Sequence, residues 1–189
     1  MSEVLKTFNK SKYNFKSEII IRHVTPMIHF QYEKSIYLLR ATEVKPLLDK
    51  YLDKKLKSQI HEKWHIGTQP IALDYKMHID FVGNREKSKA FIETIDYKEL
   101  KKADVLDEKL KLKSDFPDLK ITLLSFCTSI HPETNQDILS FINSHIEDFF
   151  SQSNFGKTKS KNFGKFKVIS INGKSLIKND YKEDNSNEQ

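Results

Sequence analysis

Residues 18–24, Glu-Ile-Ile-Ile-Arg-His-Val, open the folded part of the chain with a run of β-branched side chains. Such side chains favour extended backbone, and Thr25-Pro26 directly afterwards marks the entry into a loop. The pattern predicts a first strand over residues 18–24.

A first helix is predicted downstream, because apolar residues recur there at the α-helical spacing while the opposite face is charged. Thr42 is a candidate cap, but Pro46 lacks the amide that would bond the carbonyl of Thr42. Two starts therefore remain open, one at the Thr42 cap and one at Pro46. The apolar stripe consists of Val44, Leu47, Leu48, Tyr51, Leu52, Leu56 and Ile60.

A second helix is predicted after His131-Pro132. Thr134 and Asp137 stand at its start in the three-residue spacing of a capping box. The following apolar residues lie on one helical stripe, so we expect this helix to pack on the core. The stripe consists of Ile138, Phe141, Ile142, Ile146, Phe149 and Phe150.

Three more segments have strand patterns: residues 72–82 alternate between apolar and polar, and 119–126 and 166–171 are apolar runs. Gly83-Asn84 predicts a turn into a hairpin partner, and the charged residues up to 115 complete an inserted hairpin or helical segment at about 84–115. The element order is therefore βαββαβ. It predicts an α+β, ferredoxin-like (RRM-like) antiparallel sheet with two helices on one face.

The chain of 189 residues and 22.2 kDa suits one domain, which we place at residues 1–173. Residues 174–189 are rich in Asn, Asp, Glu and Lys, and we expect a disordered polar tail. A single cysteine, Cys127, excludes an intrachain disulfide and a thiolate zinc site. With no apolar leader and no long apolar run, the expected location is the cytoplasm, with no membrane contact.

The basic part of the chain lies in residues 153–167, which hold five lysines and no acid, within a net charge of +6. Lys157, Lys159 and Lys161 alternate along a loop and could follow a phosphate backbone, while Gly156 and Gly164 would let main-chain amides approach it. Neutralising about four phosphates of a single strand gives a salt slope of roughly −3. Phe155 or Phe163 could stack on a base. The alternative is a solvated lysine loop whose phenylalanines enter the core.

Residues 156–166, Gly-Lys-Thr-Lys-Ser-Lys-Asn-Phe-Gly-Lys-Phe, resemble the glycine-rich loop between the last helix and the last strand of the RAMP superfamily of CRISPR-associated proteins. Val24-Thr25-Pro26-Met27 resembles their strand-exit turn, and residues 39–48 resemble the stretch that leads into their first helix. The resemblance spans roughly residues 18–172.

This resemblance implies an RNA-binding subunit or module of a CRISPR-type ribonucleoprotein, with single-stranded RNA and other subunits as partners and no cofactor. Arg40 and Lys45 would contact phosphate at the start of the first helix. The RNA-binding loop would comprise Gly156, Lys157, Lys159, Lys161, Asn162, Phe163, Gly164 and Lys165.

Two alternatives remain open. A metal-independent endoribonuclease that processes CRISPR-type RNA needs a general base, for which His29 is the candidate. A scaffold subunit would instead dock a protein on the free face of the sheet. We lean towards a protein without enzymatic activity.

His61-Glu62-Lys63-Trp64-His65 matches the HExxH spacing of zinc peptidases. Such a site needs an ordinary helix and a third ligand, whereas Gly67 to Pro70 interrupts any helix directly after His65. We therefore favour a helix end with a packed Trp64 over a metal site at His61 and His65. Phosphate-binding and nucleotide-binding glycine motifs and the hydrolase elbow are absent from the sequence.

Overall fold

The computed structural model describes residues 15–25, 27, 39–67, 72–83, 117–156 and 164–176, and it confirms the α+β fold. The insertion predicted at about 84–115 lies wholly outside these residues. The elements are β1 (Lys16–His23), α1 (Ala41–Leu56), β2 (His65–Ile66), β3 (Ala72–Leu73), β4 (Lys76–Phe81), β5 (Leu119–Leu124), α2 (Ile138–Gln152), β6 (Phe166–Ile171) and β7 (Lys174–Ser175). Two short 3₁₀ turns, Lys57–Gln59 and Glu62–Trp64, follow α1.

The main sheet of the described residues has five antiparallel strands in the order β4-β5-β1-β6-β7. β1 and β4 flank β5, although α1 and not β5 joins them in sequence. This split arrangement is the one predicted for a ferredoxin-like fold. β7 pairs with β6 as a short edge strand, so the ordered chain continues past residue 173, and the rest of the predicted tail lies outside the described residues.

β1 is the middle strand of the sheet, and its side chains alternate between the two faces of the sheet. Ile19 and Ile21 are completely buried beneath the two helices, whereas Glu18, Ile20 and Arg22 face the other way and are only half-buried. We call this second surface the open face. We call the end of the sheet where β1 finishes and β6 begins the loop end. The opposite end, where β1 begins and β5 finishes, is the far end.

Neither start proposed for the first helix is the observed one. α1 begins at Ala41 with Arg40 as the capping residue, and Pro46 lies inside the helix. Glu43 stabilises this start, since its carboxylate accepts a bond from the Arg40 amide (3.4 Å) and pairs with the guanidinium (3.0 Å). The second helix begins three residues later than the Thr134 capping box predicted, at Ile138, with Asp137 itself as the capping residue: its carboxylate accepts a bond from the Ser140 amide (2.8 Å).

The strand predicted over residues 72–82 is interrupted at Asp74 and Tyr75. Residues 72–73 pair with β2 in a separate two-stranded sheet, and the Asp74 amide bonds the carbonyl of Trp64 (2.7 Å). Only β4 joins the main sheet. The alternation itself is confirmed, because Leu73, Tyr75, Ile79 and Phe81 are all buried.

Candidate nucleic-acid interface

The base of the basic loop is closed by main-chain contacts on both sides. Asn154 and Lys165 form an antiparallel bridge, and the Phe155 amide donates to the carbonyl oxygen of Gly164 (2.9 Å). Gly156 and Gly164 have φ values of +84° and +71°, a region that L side chains avoid. Residues 157–163 therefore leave and re-enter the fold between two adjacent glycine turns.

Gly164 is required by space as well as by its backbone angle. A Cβ placed there would lie 1.9 Å from the carbonyl oxygen of Phe155. Phe155 cannot yield easily, because its ring is buried against Phe149, Phe150 and Phe166. Phe155 is thus an anchor of the loop in the core, not a stacking surface for a base.

The loop base also contacts the exit of β1, which carries the second motif. The carbonyl oxygen of Lys165 accepts bonds from the amides of Val24 (2.8 Å) and Thr25 (3.3 Å). In return, the Lys165 amide donates to the Thr25 hydroxyl (3.0 Å). The structure therefore joins the strand-exit turn directly to the glycine-rich segment.

Arg40 and Lys45 lie further from this junction. The last turns of α1 contact the last turns of α2, where the Tyr51 hydroxyl bonds the Asp148 carboxylate and Lys55 bonds Gln152 (2.8 Å). Arg40 precedes Tyr51 by 11 residues, about 16 Å along a helix. The guanidinium of Arg40 is 60% exposed and is paired with Glu43.

The ammonium of Lys45 is held inside the fold. It bonds the Asp49 carboxylate (2.7 Å) and the carbonyl oxygen of Leu73 (3.0 Å), and it lies 4.1 Å from the centre of the Tyr75 ring. Asp49 is only 2% exposed and accepts a further bond from the Tyr75 hydroxyl (2.8 Å). These contacts tie α1 to the β3–β4 segment, and phosphate contact by Lys45 stays a prediction.

Charges next to the loop base are largely compensated. Arg22 makes a two-pronged ion pair with Asp118, with nitrogen to oxygen distances of 2.7 and 2.8 Å. His23 lies below the junction with its ring 4.4 Å from that of Phe166. Burial lowers the pKa of His23 to about 4, against a smaller opposing effect of Asp118, so this imidazole is neutral at pH 7.

His61 and His65 do not share a helix face. Residues 62–64 form a 3₁₀ turn and His65 begins β2, so the geometry needed for a peptidase motif is missing. Nor do the described residues contain any group of three or more His, Cys, Asp or Glu side chains able to hold a metal. The packing interpretation fits better, because Trp64 is fully buried and its ring nitrogen bonds the carbonyl of Ser129 (2.9 Å).

The remaining predicted residues of the site cannot be placed. Lys157, Lys159, Lys161, Asn162 and Phe163 lie outside the described residues, and so does His29, the candidate base of a ribonuclease.

The sequence pattern assigned no separate role to two residues that the structure brings out, Thr25 and Phe126. Thr25 was noted only as part of a turn, although its hydroxyl fixes Lys165. Phe126 is the last residue of the predicted strand 119–126, but it lies beyond the end of β5 and is 76% exposed. The signal for Phe126 was the alternation of Leu124, Ser125 and Phe126, in which the serine is the buried member.

Comparison with known proteins identifies a family for this chain. A family model described as the Cmr1 N-terminal domain matches residues 14–189, nearly the whole chain. The search of curated proteins gives no significant match. Separately, none of the helices in the described ranges is both long and apolar enough to cross a membrane.

Proposed function

The chain belongs to the family of Cmr1 N-terminal domains, RAMP-type subunits of CRISPR complexes, and we propose that it holds single-stranded RNA in such a complex. The family confirms the predicted CRISPR and RAMP relationship and implies other subunits of the complex as partners. Holding guide or target RNA through the loop is our proposal.

The observation that carries this proposal is the closed base of residues 157–163. Its two glycine turns and the bonds between Lys165 and Thr25 bring the loop and the strand exit to one end of the sheet. Main-chain amides beside glycine can approach phosphate closely, and three alternating lysines supply the charge. Phe163 would stack on a base, and Asn162 and Lys165 would complete the surface.

Arg40 would be a separate phosphate contact. Its exposed guanidinium lies beside the N-terminus of α1, whose amides favour an anion. The distance from the loop means that one RNA strand must cover several nucleotides to reach both places.

The test is RNA binding by the triple variant K157A/K159A/K161A across a range of salt concentrations. Each lost contact to single-stranded phosphate removes about 0.7 from the salt slope, so the slope should weaken by about 2 units. The matched control is K50A/K54A/K57A, which removes the same charge from exposed positions on and just after α1. If both variants lower affinity equally, or if neither alters affinity and slope, the loop does not bind RNA.

A further inference from the structure

Phe126 is an exposed aromatic ring at the far end of the open face. It follows β5 by two residues, and Ser125 between Leu124 and Phe126 is buried, so Phe126 continues the alternation of the open face. Its ring lies 6.4 Å from that of Phe15 at an angle of 35°. With 76% of the residue in solvent, this ring contributes little to the core.

Lysines lie on both strands that neighbour β5, in register with the residue two positions before this ring. Lys16 of β1 and Lys76 of β4 are both paired in register with Leu124 of β5. The Lys16 side chain is 58% exposed and pairs with Glu18 (2.8 Å), and Lys76 is exposed. An aromatic face with cationic side chains on the two neighbouring strands matches the recognition of a base together with its phosphates.

Cationic side chains continue from this ring to the loop base, although Arg22 among them is paired with Asp118 (2.7 Å) and Lys120 with Glu18 (3.8 Å). Lys167 lies two residues after Lys165 and pairs in register with Arg22, and Lys120 lies between Ile20 and Asp80. On the described strands and their immediate flanks, the open face carries more cations than carboxylates. The cations are Lys16, Arg22, Lys76, Lys120 and Lys167, and the carboxylates are Glu18, Asp80 and Asp118.

We infer that the open face is a second RNA-contact surface, on which Phe126 stacks against a base of the same strand that the loop holds. This inference rests on the proposed function and extends it to the far end of the sheet. The eight residues of β1 span about 26 Å between the two ends, at roughly 3.3 Å per residue. For comparison, single-strand binding sites of OB-fold domains cover about 4–16 nucleotides.

A protein partner is the other possible occupant of this face. The described charges disfavour it, because lysine is depleted in the buried centres of protein interfaces and the four lysines of this face would lose water there. RNA would instead neutralise these cations and leave the lysine stems over the sheet.

The experiment compares F126A, F126L and F126W in binding two probes, an oligouridylate of about 16 nucleotides and inorganic polyphosphate. F126A and F126L should lose about 5- to 150-fold in RNA affinity and keep their affinity for polyphosphate, which has no bases. F126W should keep its RNA affinity. Since the only native tryptophan, Trp64, is fully buried, quenching of the new indole by RNA reports stacking directly.

Each result is decisive. Unchanged RNA affinity in F126A, with the lysine-loop variant weakened, overturns this inference and leaves the proposed function intact. Wild-type affinity in F126L shows an apolar contact without stacking and overturns it too, as does loss of subunit assembly in F126A at unchanged RNA affinity. If the parent binds no RNA, both proposals fail.

Discussion

Replacing Gly164 by alanine tests the loop base most directly, and Gly173 offers a matched control. Both glycines have positive φ values, +71° at Gly164 and +78° at Gly173. An added Cβ at Gly173 would meet nothing within 4 Å, whereas at Gly164 it would lie 1.9 Å from the carbonyl oxygen of Phe155. The difference between G164A and G173A therefore isolates the clash from the backbone strain.

The expected magnitudes follow from these contacts. Left-handed backbone costs an alanine about 1–2 kcal/mol, and this is the whole expected effect of G173A. In G164A the Phe155 backbone must also move, which breaks the bond from its amide to Gly164 and costs a further 0.5–1.5 kcal/mol or so. Any displacement of the buried Phe155 ring adds to this, so G164A should be at least about 1 kcal/mol less stable than G173A.

Urea unfolding of the two variants and the parent measures these free energies, and the salt dependence of RNA binding measures the effect on the loop. G164A should weaken RNA binding because the two glycine turns no longer meet, while G173A should leave it unchanged. Equal unfolding free energies of G164A and G173A would refute the argument that the loop base is closed by the contact between Phe155 and Gly164.

Two further predictions concern the core. D49A should lower the free energy of unfolding by about 3 kcal/mol, because Lys45 and the Tyr75 hydroxyl are left without their shared carboxylate. D53A on the same helix is the control, and equal urea midpoints of D49A and D53A would contradict this prediction. His23 should make the free energy of unfolding depend on pH, because its pKa is about 4 in the folded state and 6.5 in the unfolded state. The unfolded state therefore binds the extra proton first, so stability is complete above pH 6.5 and falls by up to about 3 kcal/mol as the pH drops towards 4. The His23→Phe variant should lack this loss in urea unfolding measured at several pH values, and parallel profiles of variant and parent would show that His23 does not cause it.

Periodicity predicted α2 and β6 well because each buries one regular stripe, whereas in the stripe predicted for α1 Leu47 is 38% exposed and Ile60 lies beyond the end of the helix. The apolar residues expected on α2 are all buried, and β6 has the predicted bounds. The start of α1 was not predictable from Pro46, because Arg40 and Glu43 build a cap one turn earlier and the helix accepts a proline in its second turn.

The candidate site was predictable only in part. Local sequence indicated two glycine turns, and it matched a peptidase motif whose backbone is not helical. Whether Lys45 meets solvent depends on Asp49, Leu73 and Tyr75, and only the tertiary fold brings these residues together. The bond from Lys165 to Thr25 likewise joins residues 140 positions apart.

The closed base separates the length of the loop from the stability of the fold. The contacts that close the loop base are made by Asn154, Phe155, Gly164 and Lys165, which lie on either side of residues 157–163. An insertion between 157 and 163 therefore lengthens only a segment whose two ends are already fixed. Doubling such a segment costs about 0.6 kcal/mol in closure entropy. The same scaffold can therefore carry shorter or longer basic segments, and the reach over the proposed RNA strand can change without any alteration of the core.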